Sequence, residues 1–469
     1  MKKRRLVALG VGMMMLGSSI LTGCGSGGKE TSAPAEKTTA TSVEAGQTEA
    51  KDETKKEEGK EDQEQITLRF VSWQSNHAKG DQRIVDAWEE KHPEIQVEIE
   101  YVGDMSSRDY LQKTDLMLMG GEEIDIIMSP SIADLSVRAN SNSYLPMDEY
   151  FEAEGKTPED VYSIIPRIND KVYSIPSDMR YNVVLINKDM LDAAGLEVPD
   201  LNWTWDEYRE YAMKMTQGSG ANTIYGSYMH TFGDDRTRGI LSAKPDSPLF
   251  NEDGSLTFEN PEFGKFLQYR YNLENVDKAS TPLADIKALN MNYRDQFFSG
   301  KIAMLPMGTN LLCDIGNESY PHDFVTTFAR QPLWNETDPH YNMTGAIFYS
   351  VAKTSTHPKE AFEFLRFWTT EGVPLKGMFV SNEKNVDKME STTAIVKDFE
   401  DKVDMEALKT FMQDPDWVDS YVSYSPEYQS QIETVLTEET DKFLLGSQSL
   451  DDTIANLMSR CNAIIEENK

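Results

Sequence analysis

Basic residues and cysteine are what this chain of 469 residues has least of. Lys plus Arg number 46 against 79 Asp plus Glu, a formal net charge of -33. A chain of that sign repels nucleic acid and anionic lipid head groups, so neither is expected as a partner. Three cysteines occur, with no Cys-x-x-Cys and no spacing that suggests zinc, which argues against a disulfide framework or a zinc-held fold. Cys313 and Cys461 are expected to be buried free thiols, although export would permit a bridge. The 6 histidines form no ligand cluster. His-Glu-x-x-His, Gly-x-Ser-x-Gly and a phosphate-binding glycine loop are all missing. No metal, no other cofactor and no catalytic residue is expected.

What is present begins at the N-terminus. Lys2, Lys3, Arg4 and Arg5 precede an apolar run from Leu6 to Ile20, and the segment closes on Leu21-Thr22-Gly23-Cys24. The run is shorter than the ~20 apolar residues that cross a bilayer, which marks residues 1–23 as an export signal rather than a spanning helix. The ending resembles the lipobox of bacterial lipoproteins. That resemblance implies cleavage before Cys24, diacylation of its sulfur, and in some lineages acylation of its new amino group. At ~0.8 kcal/mol per buried methylene, two or three acyl chains make a stable anchor. Residues 24–65 then carry no aromatic residue and little to bury, the composition of a disordered tether. Flexible-chain statistics give it a mean reach of roughly 35 Å.

Without the four signal charges the net charge is -37; the tether, with 6 Lys against 11 Asp plus Glu, carries -5, which leaves -32 on residues 66–469. That body of about 400 residues exceeds what one hydrophobic core sustains, so two lobes are expected. Ile66, Leu68 and Phe70 alternate with polar residues in a strand ending near Trp73. A helix over about 81–91 carries Ile84, Val85 and Trp88 on one face, and Ile95, Val97, Ile99 and Tyr101 alternate again. This is a β-α-β opening. A helix over about 108–119 leads to the near-continuous apolar strand Ile124–Met128, the pattern of a sheet covered on both faces. Val172–Pro176 and Tyr181–Asn187 read as two extended segments joined by Ser177-Asp178-Met179-Arg180. Thr204-Trp205-Asp206-Glu207 is a capping-box signature, and Ala361, Phe362, Phe364, Leu365 and Trp368 mark a buried helical face after Pro358.

The order of these segments resembles the extracellular solute-binding proteins of ABC transporters, specifically the family that binds sugars and oligosaccharides. The residues that carry the resemblance are Leu68–Trp73, Trp88–Pro93 with Ile95–Val97, Ile124-Asp125-Ile126, and Asp170–Pro176. The most recognisable stretch runs from Tyr181 to Ile186 through Asn187-Lys188-Asp189 and Ala194-Gly195-Leu196 to Thr204–Glu207. Phe298–Met304, Gly345–Ser350 and Gly446–Ser449 follow in the same order. The chain departs from the family at Gly308-Thr309-Asn310, where many members have an aromatic, which puts a stacking contact there in doubt.

The resemblance implies an α/β fold of two periplasmic-binding-protein-like lobes with a hinge and a ligand cleft between them. The expected lobes are 66–176 plus about 297–350, and 177–296 plus about 351–469. Closure on the ligand would be a hinge motion. It also implies an oligosaccharide ligand, the permease subunits of an ABC importer as partners, a monomer, and capture without chemistry at the extracytoplasmic face of the cell membrane. A sugar offers apolar faces and a rim of hydroxyls, so flat aromatics beside planar polar groups are the candidates. Trp73, Gln74 and Asn76 combine both in one loop; Ser129 follows the third strand. Asp178 and Arg180 sit at the hinge segment and could instead pair with each other. Tyr228, Trp334 and Gly345 are nominated from the later segments, with the core as the competing place for each aromatic. Two other readings stay open: a binder of a non-sugar solute such as a peptide, polyamine or metal chelate, and an anchored glycoside hydrolase built on two carboxylates.

Overall fold

The computed structural model describes residues 65–468, apart from 104–105, 242–248, 252–253, 422–425 and 427. The expected signal over 1–23, the acylated Cys24 and all of the tether but Gln65 lie outside the described residues.

The alternating apolar residues form the strands that periodicity predicts. β1 (Ile66–Ser72) and β2 (Ile95–Tyr101) pair in parallel from Ile66 opposite Ile95 to Ser72 opposite Tyr101, and β3 (Ile126–Ser129) joins the other side of β1. The helix Ala78–Lys91 crosses between the first two and buries Ile84, Val85 and Trp88. The helix Ser107–Met119 crosses to β3 from an N-cap at Ser106, whose hydroxyl accepts from the Asp109 N–H. Ile124, Ile126, Ile127 and Met128 are all buried, the consequence of a strand with a covered face on each side.

β4 (Ile175–Asn187) is one strand where two segments were expected. The break survives as a bulge: the register against β8 (His340–Val351) shifts between Ser177 and Arg180, and Asp178 sits at φ 53°. The first part of β4 pairs with β8, whose far end pairs antiparallel with β3. Its second part pairs with β6 (Ile302–Gly308) and β7 (Thr326–Arg330), and the short β5 (Tyr225–Ser227) lies parallel to β6. β9 (Trp417–Ser420) pairs with the start of β8. β4 and β8 thus run from one group of strands into the other, an α/β fold of two lobes with a hinge at their crossing.

Strand pairing distributes the later segments differently from the expected boundaries. β6 belongs with β4 and β5 rather than with β1–β3. The helix Pro358–Phe367 and the turn after it pack on β1, with the Trp368 ring 5.1 Å from Phe70. β6 is apolar throughout and the helix carries one apolar face, so their sequences state that they are covered but not by which sheet.

The capping box forms at Trp205–Met215: the Thr204 hydroxyl accepts from the Glu207 N–H at 3.3 Å and the Glu207 carboxylate accepts from the Thr204 N–H at 2.7 Å. Trp88 and Trp368 are core residues, as their helical faces predict, and Trp205 at its helix start is buried as well, each contributing on the order of 2–3 kcal/mol of burial. A third apolar cluster joins Pro261–Tyr271 to the last two helices, Gln429–Leu444 and Leu450–Glu467. Cys461 is buried and Cys313 half-buried, both as free thiols. Among the described residues no helix is long and apolar enough to cross a membrane.

Candidate functional site

A cavity of about 440 Å³ opens where β4 and β8 cross. Strand alternation aims the first contributors: within a β4 that is otherwise buried, Arg180 and Asn182 are the two partly exposed positions, two residues apart on one face. Opposite Arg180 in the ladder is Gly345. A Cβ at Gly345 would lie 3.3 Å from Arg180 Nη2, so the missing side chain is what lets the guanidinium lie across the strand. Thr344, Ala346 and Phe348 continue this wall.

The first lobe contributes Pro130, Ser131 and Ile132 from the turn after β3. The second lobe contributes two cationic pairs. Arg238 donates from Nε to Asp235 at 2.7 Å, from Nη1 to the Gln331 side chain at 2.6 Å and from Nη2 to the Pro306 carbonyl at 3.3 Å. Arg294 donates from Nε to Asp314 at 2.6 Å and from Nη1 to the Tyr293 hydroxyl, with its guanidinium 4.7 Å from the Tyr293 ring centre. Burial draws the Arg294 pKa down, but Tyr293 and Asp314 outweigh it and hold it above its ordinary value. Phe232 lines the same wall and is 53% exposed, large for a phenylalanine in a folded domain. His230 lies against it at 3.7 Å between ring centres, with its pKa lowered by burial to about 4. Asn310, Tyr421, Gln429 and Glu433 complete the lining. Gln429 donates to Glu433 at 2.8 Å while its Oε1, buried, has no partner among the described residues.

Of the nine residues nominated from sequence, Arg180 and Gly345 line this cavity. Asp178 does not pair with Arg180. Its Oδ2 accepts from the Tyr349 hydroxyl at 2.6 Å and from Lys376 at 2.9 Å, and Lys376 lies 3.2 Å from Asp81. Trp73 is buried against Tyr110 at 4.9 Å between ring centres, and Asn76 points to solvent. The Ser129 hydroxyl is bonded to Tyr144 at 2.8 Å. Tyr228 is buried, with its hydroxyl on the Met291 carbonyl at 3.4 Å. Trp334 packs on Trp205, Phe266 and Tyr269 beneath the Lys265 ammonium. Gln74 differs from these. Its Oε1 is buried without a partner, as is Nδ1 of the neighbouring His77, whose pKa is lowered to about 3, mainly by burial, with Lys376, Arg294 and Arg180 adding to it. The loop after β1 is therefore within electrostatic reach of the cavity's arginines.

Sequence reasoning missed Phe232, Arg238, Tyr293, Arg294 and Gln429. The adjacent Tyr293-Arg294, an aromatic beside a cation in an acidic chain, is the one signal that could have flagged them. Gly308 and Asn310 do line the cavity, so the departure noted there leaves a polar wall in place of a stacking one. Elsewhere His340, Asp414 and Asp416 come close enough to surround a cation. His340 already bonds Asp414 at 2.7 Å and Asn202 at 3.0 Å, and Arg330 stands 3.7 Å from Asp414, a cationic neighbour that disfavours a metal ion.

A family model described as bacterial extracellular solute-binding protein matches residues 74–373. The chain is 26% identical over 324 residues to an uncharacterized lipoprotein in the oleD 5' region of Streptomyces antibioticus, covering 64% of this chain and 66% of the relative. It is 24% identical over 255 residues to an arabinooligosaccharide-binding protein of Halalkalibacterium halodurans, covering 51% and 53%. The match spans less than two thirds of either relative's own length. Among solved structures, a sugar transporter of Rhizobium etli in an open conformation superposes with a TM-score of 0.69 at 22% identity, over 85% of this chain and 99% of that one. An ABC substrate-binding protein of Listeria monocytogenes in complex with cycloalternan gives 0.69 at 20% identity, over 86% and 98%. These likenesses show the fold.

Proposed function

The chain belongs to the bacterial extracellular solute-binding proteins, and on that premise we propose that it captures an oligosaccharide outside the cell and delivers it to the permease of an ABC importer. The observation that carries this is the cavity at the β4–β8 crossing, where aromatic faces (Phe232, Tyr293, Phe348) stand beside planar polar groups (Arg180, Asn182, Asn310, Gln429). Aromatic faces match the C–H faces of a sugar ring and the planar groups match its hydroxyls. One matched relative is named for binding arabinooligosaccharides, and one structural neighbour holds cycloalternan.

The mechanism is capture without chemistry. Solute enters between the lobes, closure about β4 and β8 buries it, and the closed form docks on the permease, whose partner subunits hydrolyse ATP. The solute must bind the closed form more tightly than the open one, since only that difference shifts the equilibrium. Of the two carboxylates lining the cavity, Asp235 is held by Arg238, an arrangement that does not favour the acid and base of a glycosidase. Three guanidiniums in the lining disfavour a polyamine. The lipobox-like segment supports cleavage before Cys24 and acylation there, with the acidic tether holding a monomeric body at the extracytoplasmic face of the membrane.

A thermal-shift screen of the purified protein against mono- and oligosaccharides tests this reading, with peptides and polyamines as controls and each well assayed for product. A shift with one saccharide class and no product is expected. Turnover would replace the reading with a hydrolase, and a shift with polyamines alone would replace it with a cation transporter.

A further inference from the structure

Resting on that reading, we propose that the saccharide is anionic, carrying a carboxylate or another acidic group read by Arg294 together with Arg180 and Arg238. The chain carries a formal charge of -33, yet three guanidiniums line one cavity of about 440 Å³. An arginine brings five N–H donors and no acceptor, whereas a neutral sugar hydroxyl needs a partner in both roles. Both carboxylates in this lining are already engaged. Asp235 takes the Arg238 Nε–H, and Glu433 takes the Gln429 amide at the exposed end of the cavity. The Arg294 charge is matched from behind by Asp314, which is not part of the lining. Asp314 thus fixes the direction of the fork of an arginine that itself lines the cavity. A Cβ at Gly345 would lie 3.3 Å from Arg180 Nη2, so the glycine leaves room for that guanidinium above the strand.

A lining with three guanidiniums, whose two carboxylates are both engaged, favours a ligand rich in acceptors. A carboxylate offers about four lone-pair sites and no donor, and the planar fork of an arginine matches it bidentately. The buried Gln429 Oε1, without a partner in the lining, remains for a hydroxyl of the same ligand. The arginines come from both the hinge strand and the second lobe, so a bound acid would tie the two together.

The test is calorimetric titration of the full chain with size-matched pairs: a neutral oligosaccharide, its uronate-bearing counterpart and a phosphorylated sugar. The expected result is at least about tenfold tighter binding of an anionic member than of its neutral match, the scale of one charge-assisted hydrogen bond. In Arg294→Gln this preference collapses. Arg294→Lys, which keeps the charge but loses the fork, serves as the second variant and is expected to hold part of it. A phosphate-bearing sugar outbinding the uronate would support the inference and assign the acidic group to phosphate. Neutral sugars binding as tightly as their charged matches would overturn it while leaving oligosaccharide capture standing. Binding of peptides with no saccharide bound at all would overturn the underlying reading as well.

Discussion

Lys376 is fully buried, with its ammonium 2.9 Å from Asp178 and 3.2 Å from Asp81. It ties the bulge of β4 to the helix Ala78–Lys91. Replacing it by Met keeps the volume and leaves two carboxylates, at 0% and 2% exposure, with no cation between them. Breaking a buried pair from one side costs about 3–5 kcal/mol, because the stranded charge can neither reach water nor find another countercharge. Urea unfolding followed by tryptophan fluorescence reads this directly, since the ammonium lies 5.3 Å from the Trp368 ring. The midpoint should fall at constant slope. The pH dependence has a definite sign. Burial already holds the Asp81 carboxyl above its ordinary value, with Lys376 opposing. Without Lys376 the folded state takes up a proton more readily, so Lys376→Met regains stability as pH falls from 7 toward the carboxylate range, and its gap to the wild type narrows. On the alkaline side, burial pulls the Lys376 pKa down but Asp178 and Asp81 raise it above 10.5. Its contribution is therefore complete below the ordinary lysine value and lost as pH rises through the raised one, a loss the variant lacks. A midpoint within about 0.5 kcal/mol of wild type at pH 7, or a gap that widens on acidification, would refute the reasoning.

Trp73→Ala should cost about 3–5 kcal/mol of stability, as a large core truncation does; loss of sugar affinity at an unchanged melting temperature would return Trp73 to the ligand. Phe232→Ala should weaken saccharide binding by about 1 kcal/mol while the urea midpoint stays put, because the ring is half in solvent already. Gly345→Val should displace the Arg180 guanidinium and weaken binding about tenfold, measured by the same calorimetry. His77, lowered to about 3, stays neutral in the folded state while the unfolded chain takes up its proton near pH 6.5. Stability therefore falls below pH 6.5 by up to about 1.4 kcal/mol per pH unit from this group, and His77→Gln should flatten that slope in acid denaturation.

Local patterns were legible where one residue's surroundings are set by its near neighbours. The β1–β2 alternation, the Thr204–Glu207 capping box and the apolar faces of Trp88 and Trp368 all appear where periodicity puts them. Arg180, nominated from the hinge segment, and Gly345, nominated from a later one, both line the cavity. The same logic nominated Trp73, Ser129 and Tyr228, which the fold buries. A strand end with an aromatic or hydroxyl looks identical in sequence whether it faces a cleft or a neighbouring helix, and here Tyr110, Tyr144 and the Met291 carbonyl take them. Phe232 and Arg294 were illegible because they stand 62 residues apart in sequence and meet only through the second lobe.

From the sequence by itself came the expectation of an export leader over 1–23, and the acidic body, the α/β alternation and the order of segments that marks the family, since each depends on composition or on contacts within a turn or a strand. Which strands β6 joins, that Asp178 answers to Lys376 rather than Arg180, and that three arginines share one cavity were decided by the tertiary structure alone. Those are pairings across 56 to 198 residues of chain, and no local propensity encodes a partner that distant. The charge that closes a buried pair or faces a ligand is set by whichever side chain the packed core delivers to it.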